Sequence, residues 1–349
     1  MTLPGGPAPL DEKIVLSPEW LTAMLAEQYP GVVVTGTKVT ERLQTVATKV
    51  RFDLELDAPI DGVPPALCAK GYFGPPDNPR LRGGTTEVAF YRLLASHLPV
   101  RTPPCIHAAI DDDTGHGLLV MEDLKVAGST FLDPLTTYGP EQVARTLDQL
   151  AALHVATAEP KAGPGWEAFD PRLESLMGYM DTATLQGLMD DSRGDDLPDD
   201  VRRADRLLSA VAVIAAQSRT EPGCLVHGDV HTGNVYELAD GSPGLIDWQV
   251  VQRGIWALDV AYHLGAVLEP ELREQSEREL VDHYLDRVAA HGGTPADRDE
   301  AWLLYRTHLT YGYFMWSITR AVDRRIIDRH TRRLGLAVAF HDSFGLLGA

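Results

Sequence analysis

A change of hydrophobic period near residue 124 does most to limit what this chain can fold into. From Val32 to Phe73 apolar and polar side chains alternate in β-branched runs: Val32-Val-Val-Thr, Thr48-Lys-Val-Arg-Phe-Asp-Leu-Glu-Leu and Ala66-Leu-Cys-Ala-Lys-Gly-Tyr-Phe. That pattern predicts three antiparallel strands. Two further apolar strands, 106–110 and 117–124, flank the acidic turn Asp111-Asp-Asp-Thr-Gly. Beyond Gly139-Pro140 the spacing becomes helical, and Val143, Leu147, Leu150 and His154 share one face. Further helices are expected near 172–180, over 201–217 with Asp199 and Asp200 at its start, from Trp256, and over 271–290, 295–321 and 325–344. At 349 residues the chain exceeds the size at which one core keeps growing. The expectation is α+β with two lobes and a cleft between them, residues 1–124 β-rich and 125–349 helical.

Local signals refine the N-terminal part. Residues 1–12 are rich in Pro and Gly and are expected to be disordered or loosely packed. Ser17-Pro18-Glu19 supplies a cap, a first-turn proline and an acidic residue for a helix to about Ala26. Thr85 or Thr86 is the expected cap of a helix carrying Val88, Tyr91 and Leu94 on one face.

Charge and cysteine usage remove several function classes. A formal charge of −19 opposes unaided binding to nucleic acid or anionic lipid, which both need clustered cations. The longest apolar run, Ala210–Ala216, falls short of the ~18 residues of a membrane span. The start, Met1-Thr-Leu-Pro-Gly-Gly, lacks the basic and apolar regions of a signal peptide, so a cytoplasmic location is expected. Cys68, Cys105 and Cys224 are far apart in apolar stretches and read as buried thiols. Nothing in the sequence specifies an oligomeric state.

The chemistry concentrates between Leu225 and Gln249. Asp229 and Asn234 stand in the spacing D-x-x-x-x-N, and Asp247 closes the apolar run Leu245-Ile246 thirteen residues further on. The reading places all three on two apolar strands joined by Ala239-Asp-Gly-Ser-Pro-Gly244. One carboxylate would accept a proton from an attacking hydroxyl, while an amide oxygen and a second carboxylate hold Mg²⁺ against nucleotide phosphates. Upstream, Lys70 interrupts an apolar strand, either as a snorkelling edge residue or as a cation for phosphates. Glu87 follows seventeen residues later, either an ordinary first-turn glutamate or the partner that fixes the Lys70 ammonium. Backbone groups from Met121 through Glu122 to Leu124 are candidates for reading a nucleotide base, and Leu43–Thr48, without glycine, lies where phosphates would be covered.

Three other features are assigned to support. Asp259, set among Leu258, Val260 and Ala261, is expected to be a buried acceptor that steadies the catalytic loop. His154 reads as a packed histidine, and the aromatic run from Trp302 to Trp316 as core, with part of an acceptor pocket as the alternative. The acidic segment 189–200 reads as a solvated loop in preference to a cation-binding lid.

Taken together, Lys70, Glu87, Leu119-Val-Met-Glu-Asp-Leu, His227-Gly-Asp-x-x-x-x-Asn234 and Asp247-Trp-Gln resemble the aminoglycoside phosphotransferase and choline kinase-like superfamily. Glu87-Val-Ala-Phe-Tyr-Arg and Asp247-Trp-Gln resemble its ecdysteroid-kinase-like branch and bacterial relatives. The resemblance implies a protein-kinase-like fold and ATP as phosphate donor, with GTP left open, together with Mg²⁺. It implies Asp229 as catalytic base, supported by His227, Asn234 and Asp247 as Mg²⁺ ligands, and Lys70 with Glu87 on the phosphates. Asp247 is followed by Trp248-Gln249 and no Ala-Pro-Glu segment is present, so a small-molecule hydroxyl is the expected acceptor, an aminoglycoside-, choline- or sterol-like alcohol. The competing readings are a catalytically silent nucleotide-binding scaffold and a helical interaction module.

Overall fold

Five strands make the N-terminal sheet: β1 (Val34–Gln44), β2 (Thr48–Leu56), β3 (Ala66–Gly71), β4 (Cys105–Ile110) and β5 (Gly117–Glu122), in the order β1-β2-β3-β5-β4. They belong to a computed structural model that describes residues 3–158, 165–221 and 223–349. All neighbouring pairs are antiparallel, and β3, the middle strand, is buried along its whole length. β1 runs farther than the expected Val32–Thr35, as far as Gln44, and turns into β2 through Thr45–Ala47. Helices α1 (Glu12–Val15), α2 (Pro18–Leu25) and α3 (Thr85–Leu93) complete this unit. Trp20, Leu21 and Leu25 of α2 pack in one core with Val50, Phe52, Leu67, Leu118 and Val120. Burial of each such large side chain contributes about 1.5–3 kcal/mol.

Two local expectations are corrected here. The segment up to residue 12 is anchored: the Trp20 indole N–H donates to the Gly6 carbonyl at 3.1 Å, and His116 and His107 meet the Ala8 and Pro7 carbonyls at 2.9 and 2.7 Å. The consecutive carbonyls of Gly6, Pro7 and Ala8 thus meet fixed side chains; Met1 and Thr2 lie outside the described residues. α3 has Gly84 as its cap, because a 3-10 turn, Leu81–Gly84, runs straight into it and Thr85 donates back to the Arg82 carbonyl.

The C-terminal unit gathers Leu98–Arg101 and the chain from Phe131, while Thr102–Thr130 belongs with the first unit. Its helices are α4 (Pro140–Ala156), α5 (Leu173–Met177), α6 (Thr182–Met189), α7 (Ala204–Thr220), α8 (Ala257–Val267), α9 (Pro270–Ala290), α10 (Arg298–Ile318), α11 (Arg324–Phe340) and α12 (Ser343–Leu346). The short strands are β6 (Thr130–Phe131), β7 (Cys224–Val226), β8 (Val235–Glu237), β9 (Pro243–Leu245) and β10 (Gln252–Gly254). β7 pairs with β10 and β8 with β9, both antiparallel.

α7 begins at Ala204, not 201: its first N–H is taken by the Gln186 side chain of α6 at 3.0 Å, so Asp199 and Asp200 do not cap it. The expected last helix is divided where Asp342 adopts a left-handed conformation, φ 48°. Among the described residues no helix is long and apolar enough to cross a membrane.

Candidate functional site

The loop leaving β7 is fixed from below by one carboxylate. Asp259, in the first turn of α8 and fully buried, accepts from the backbone N–H of His227 and of Gly228, both at 2.7 Å. It also meets His154 Nε2 at 3.1 Å, and His154 Nδ1 meets the Tyr284 hydroxyl at 2.9 Å. A buried carboxylate is tolerated because donors replace its water. Gly228 has φ +82°, and a Cβ there would sit 2.7 Å from the Val250 carbonyl, so backbone conformation and space both require glycine.

His227 joins this loop to the next. Its Nδ1 accepts from the Asp229 N–H at 3.2 Å, which leaves Nε2 to donate to the Ile246 carbonyl at 2.9 Å. That pair of contacts assigns the Nε2–H tautomer. The ring also packs on buried Trp248, with centroids 4.5 Å apart.

Asp229 is held at both oxygens. Oδ1 accepts from the Tyr262 hydroxyl at 2.5 Å and Oδ2 from Asn234 Nδ2 at 3.0 Å. The same Asn234 nitrogen donates to the Asp229 carbonyl at 2.8 Å. Asn234 closes the 3-10 turn Thr232–Asn234, and its own carbonyl accepts from Ile246 N–H at 3.0 Å, extending the Val235–Leu245 ladder by one rung. Asp247 follows that rung in a left-handed conformation, φ 67°, which Asp adopts more readily than most residues. Asp229, Asn234 and Asp247 therefore do not lie on the strands as read; β8 and β9 are three residues each, and the functional side chains stand in the loop and turns off their ends. Loops positioned by a fixed scaffold are where such groups belong.

These residues fit a hard divalent cation. Both Asn234 amide hydrogen bonds are made by nitrogen, which turns its oxygen away from Asp229 as an available donor atom. Among the described residues no cluster of three His, Cys, Asp or Glu forms a complete protein cage. Mg²⁺ suits such a site, since it takes one or two protein ligands and fills its shell with water and phosphate oxygens.

In the N-terminal unit, Lys70 on β3 and Glu87 on α3 form an ion pair at 2.6 Å, their side chains 5% and 3% exposed. Because β3 is the central strand, the edge-snorkel alternative for Lys70 falls away. Met121 and Glu122 end β5, the strand paired with β3, and buried Leu124 follows. The N–H groups of Glu122 and Asp123 are engaged by the Pro104 and Ala66 carbonyls, both at 3.0 Å.

Three aromatic residues meet the Asp229 loop: Tyr311 and Trp316 belong to the run expected as core, and Tyr262 is not singled out by the sequence. Tyr262 contacts Asp229, Tyr311 donates to the Gly228 carbonyl at 2.7 Å, and Trp316 donates to the Tyr262 oxygen at 2.9 Å. His231 also stands here, its Nε2 3.8 Å from Asp229 Oδ2. Spacing offers one hint: Tyr262 lies three residues after Asp259, on the same side of α8.

The sequence profile of the phosphotransferase enzyme family matches residues 75–302, a span that holds Glu87 and the whole Asp229 loop but begins after Lys70. No curated protein matches the sequence. Among solved structures, the chain is similar to choline kinase from Cryptosporidium parvum Iowa II at 10% identity and TM-score 0.57, covering 94% of this chain and 95% of that one. It is also similar to a microcompartment-associated aminopropanol kinase at 16% identity and TM-score 0.50, covering 93% and 98%. At these identities the likeness is one of fold, a kinase-like α+β architecture.

Proposed function

From the premise that this chain belongs to the phosphotransferase enzyme family, we propose that it moves the γ-phosphoryl group of ATP to a hydroxyl of a small molecule, with Mg²⁺ as cofactor. The observation that carries the reading is the geometry of Asp229, a carboxylate oriented at both oxygens and still about a third exposed.

In this reading Asp229 takes the proton of the acceptor hydroxyl as its oxygen attacks the γ-phosphorus. The new O–P bond forms as the bond from phosphorus to the β–γ bridging oxygen breaks, and ADP leaves with that electron pair. Asn234 and Asp247 would hold Mg²⁺, which when bound neutralises charge on the phosphate oxygens. Lys70, kept in place by Glu87, is the cation for the nucleotide phosphates, and residues 121–124 flank its base. His227 supports the loop by joining it to the Asp247 turn.

By this proposal residues 1–124 bind nucleotide and 125–349 carry the catalytic loop and acceptor pocket, in a protein working where Mg·ATP is abundant, the cytoplasm. The absence of an Ala-Pro-Glu segment supports a small-molecule acceptor over a protein hydroxyl.

A Mg·ATP consumption screen across alcohols and amino sugars tests the reading, with Asp229→Asn as blank. Removal of the general base is expected to cost about 10²–10⁴-fold in turnover with the circular dichroism spectrum unchanged. Equal turnover by the variant would remove Asp229 as the base, and absence of turnover with every acceptor would sink the enzyme reading.

A further inference from the structure

Asp229 has a neighbour whose hydrogen-bond direction is fixed by a third residue. The Trp316 indole N–H is a donor only, and it donates to the Tyr262 oxygen at 2.9 Å. The phenol has one proton, which is thereby left for Asp229 Oδ1 at 2.5 Å. Burial, and after it the nearby carboxylate, hold the Tyr262 phenol well above its ordinary pKa, so it keeps that proton. Tyr262 has no solvent exposure and cannot touch an acceptor itself. Asn234 holds the other oxygen from the opposite end of the carboxylate, so two donors on two atoms fix its plane.

We propose that Tyr262, oriented by Trp316, is a positioning residue that sets the plane of the Asp229 carboxylate for proton acceptance. This rests on the reading of Asp229 as the base. Tyr262→Phe keeps the ring and removes the directing proton; Trp316→Phe keeps the phenol and removes what aims it.

The test measures kcat and KM with the acceptor found in the screen, for wild type, Tyr262→Phe, Trp316→Phe, Asp229→Asn and the double variant Asp229→Asn/Tyr262→Phe. A misaligned base is expected to lower kcat by about 10–100-fold in Tyr262→Phe, with KM for Mg·ATP and acceptor moving less than about twofold. Trp316→Phe is expected to lose about threefold or more, and Tyr262→Phe to lose almost nothing further once Asp229 is already Asn.

A kcat within about twofold of wild type in Tyr262→Phe overturns the proposal, as does an equal loss in the presence and absence of Asp229, which would mark a merely structural role. If Tyr262→Phe does not fold, Trp316→Phe decides alone, and an unchanged kcat there overturns it. Wild type without turnover overturns the phosphotransferase proposal and this one together. Wild-type turnover with an indifferent Tyr262→Phe overturns this one by itself.

Discussion

Asp259 accepts from two backbone N–H groups and a histidine with no access to water, so its removal cannot be made good by solvent. In Asp259→Asn the amide has one acceptor oxygen and an NH₂ that meets a donor, leaving at least one buried group without a partner. The expected cost is about 3 kcal/mol. It is read as a lower thermal midpoint by circular dichroism, with turnover falling as the Asp229 loop loosens; an unchanged midpoint would contradict the account. This residue is legible in the sequence because an acid among Leu258, Val260 and Ala261 has few roles other than a buried acceptor. Tyr262, three residues on, is not legible in the same way. A tyrosine in an apolar helix is ordinary core, and its partners Asp229 and Trp316 stand 33 and 54 positions away in the chain.

α10 shows the same limit at the scale of an element. Its aromatic periodicity predicts core, and Tyr305, Tyr311, Tyr313 and Trp316 are buried. Periodicity says nothing of their polar tips, which reach Glu277, the Gly228 carbonyl, the Val201 carbonyl and Tyr262. The acidic loop is solvated at Asp190, Asp195, Asp196, Asp199 and Asp200, as its composition suggests, but composition does not show what holds it in place. One basic residue, Arg193, turns inward to 4% exposure and donates to the Trp316, Ser317 and Thr319 carbonyls at the end of α10, while Asp191 grips its guanidinium. A loop read as solvated thus caps the helix that carries Trp316.

Two histidines make this helical packing sensitive to pH. Burial holds His308 of α10 and His263 of α8 at about 4, below the 6.5 of an unfolded chain. Between those values the unfolded chain takes up protons that the folded chain does not, so stability is full above pH 6.5 and falls as pH drops toward 4. Each histidine contributes on the order of 3 kcal/mol across that interval. Thermal midpoints should decline steadily from pH 7 to 5, and His308→Gln should flatten the slope. A midpoint constant over that range would contradict the burial of neutral histidines.

For the whole molecule, a net charge of −19 sets the electrostatic problem that a polyanionic nucleotide would meet. Distant charges are largely screened beyond about 8 Å at physiological salt, so under the proposed function affinity would come from local groups, the Lys70 ammonium and the cation carried with the nucleotide. Asp247 is the position where this can be separated from folding. Asn tolerates a left-handed backbone as Asp does, so Asp247→Asn keeps the turn while removing the charge that would draw Mg²⁺. Mg·ATP at a hundred times its dissociation constant should stabilise the wild-type chain by about 2.7 kcal/mol, a rise of about 4 °C. In Asp247→Asn most of that rise should vanish, whatever the midpoint of the variant without nucleotide. ATP with EDTA should give wild type a similarly small rise, since the same electrostatic contribution is then missing from the ligand side. Equal shifts in both proteins would count against Asp247 as a metal ligand, and a wild type that ignores Mg·ATP would favour a helical interaction module over a nucleotide-binding protein.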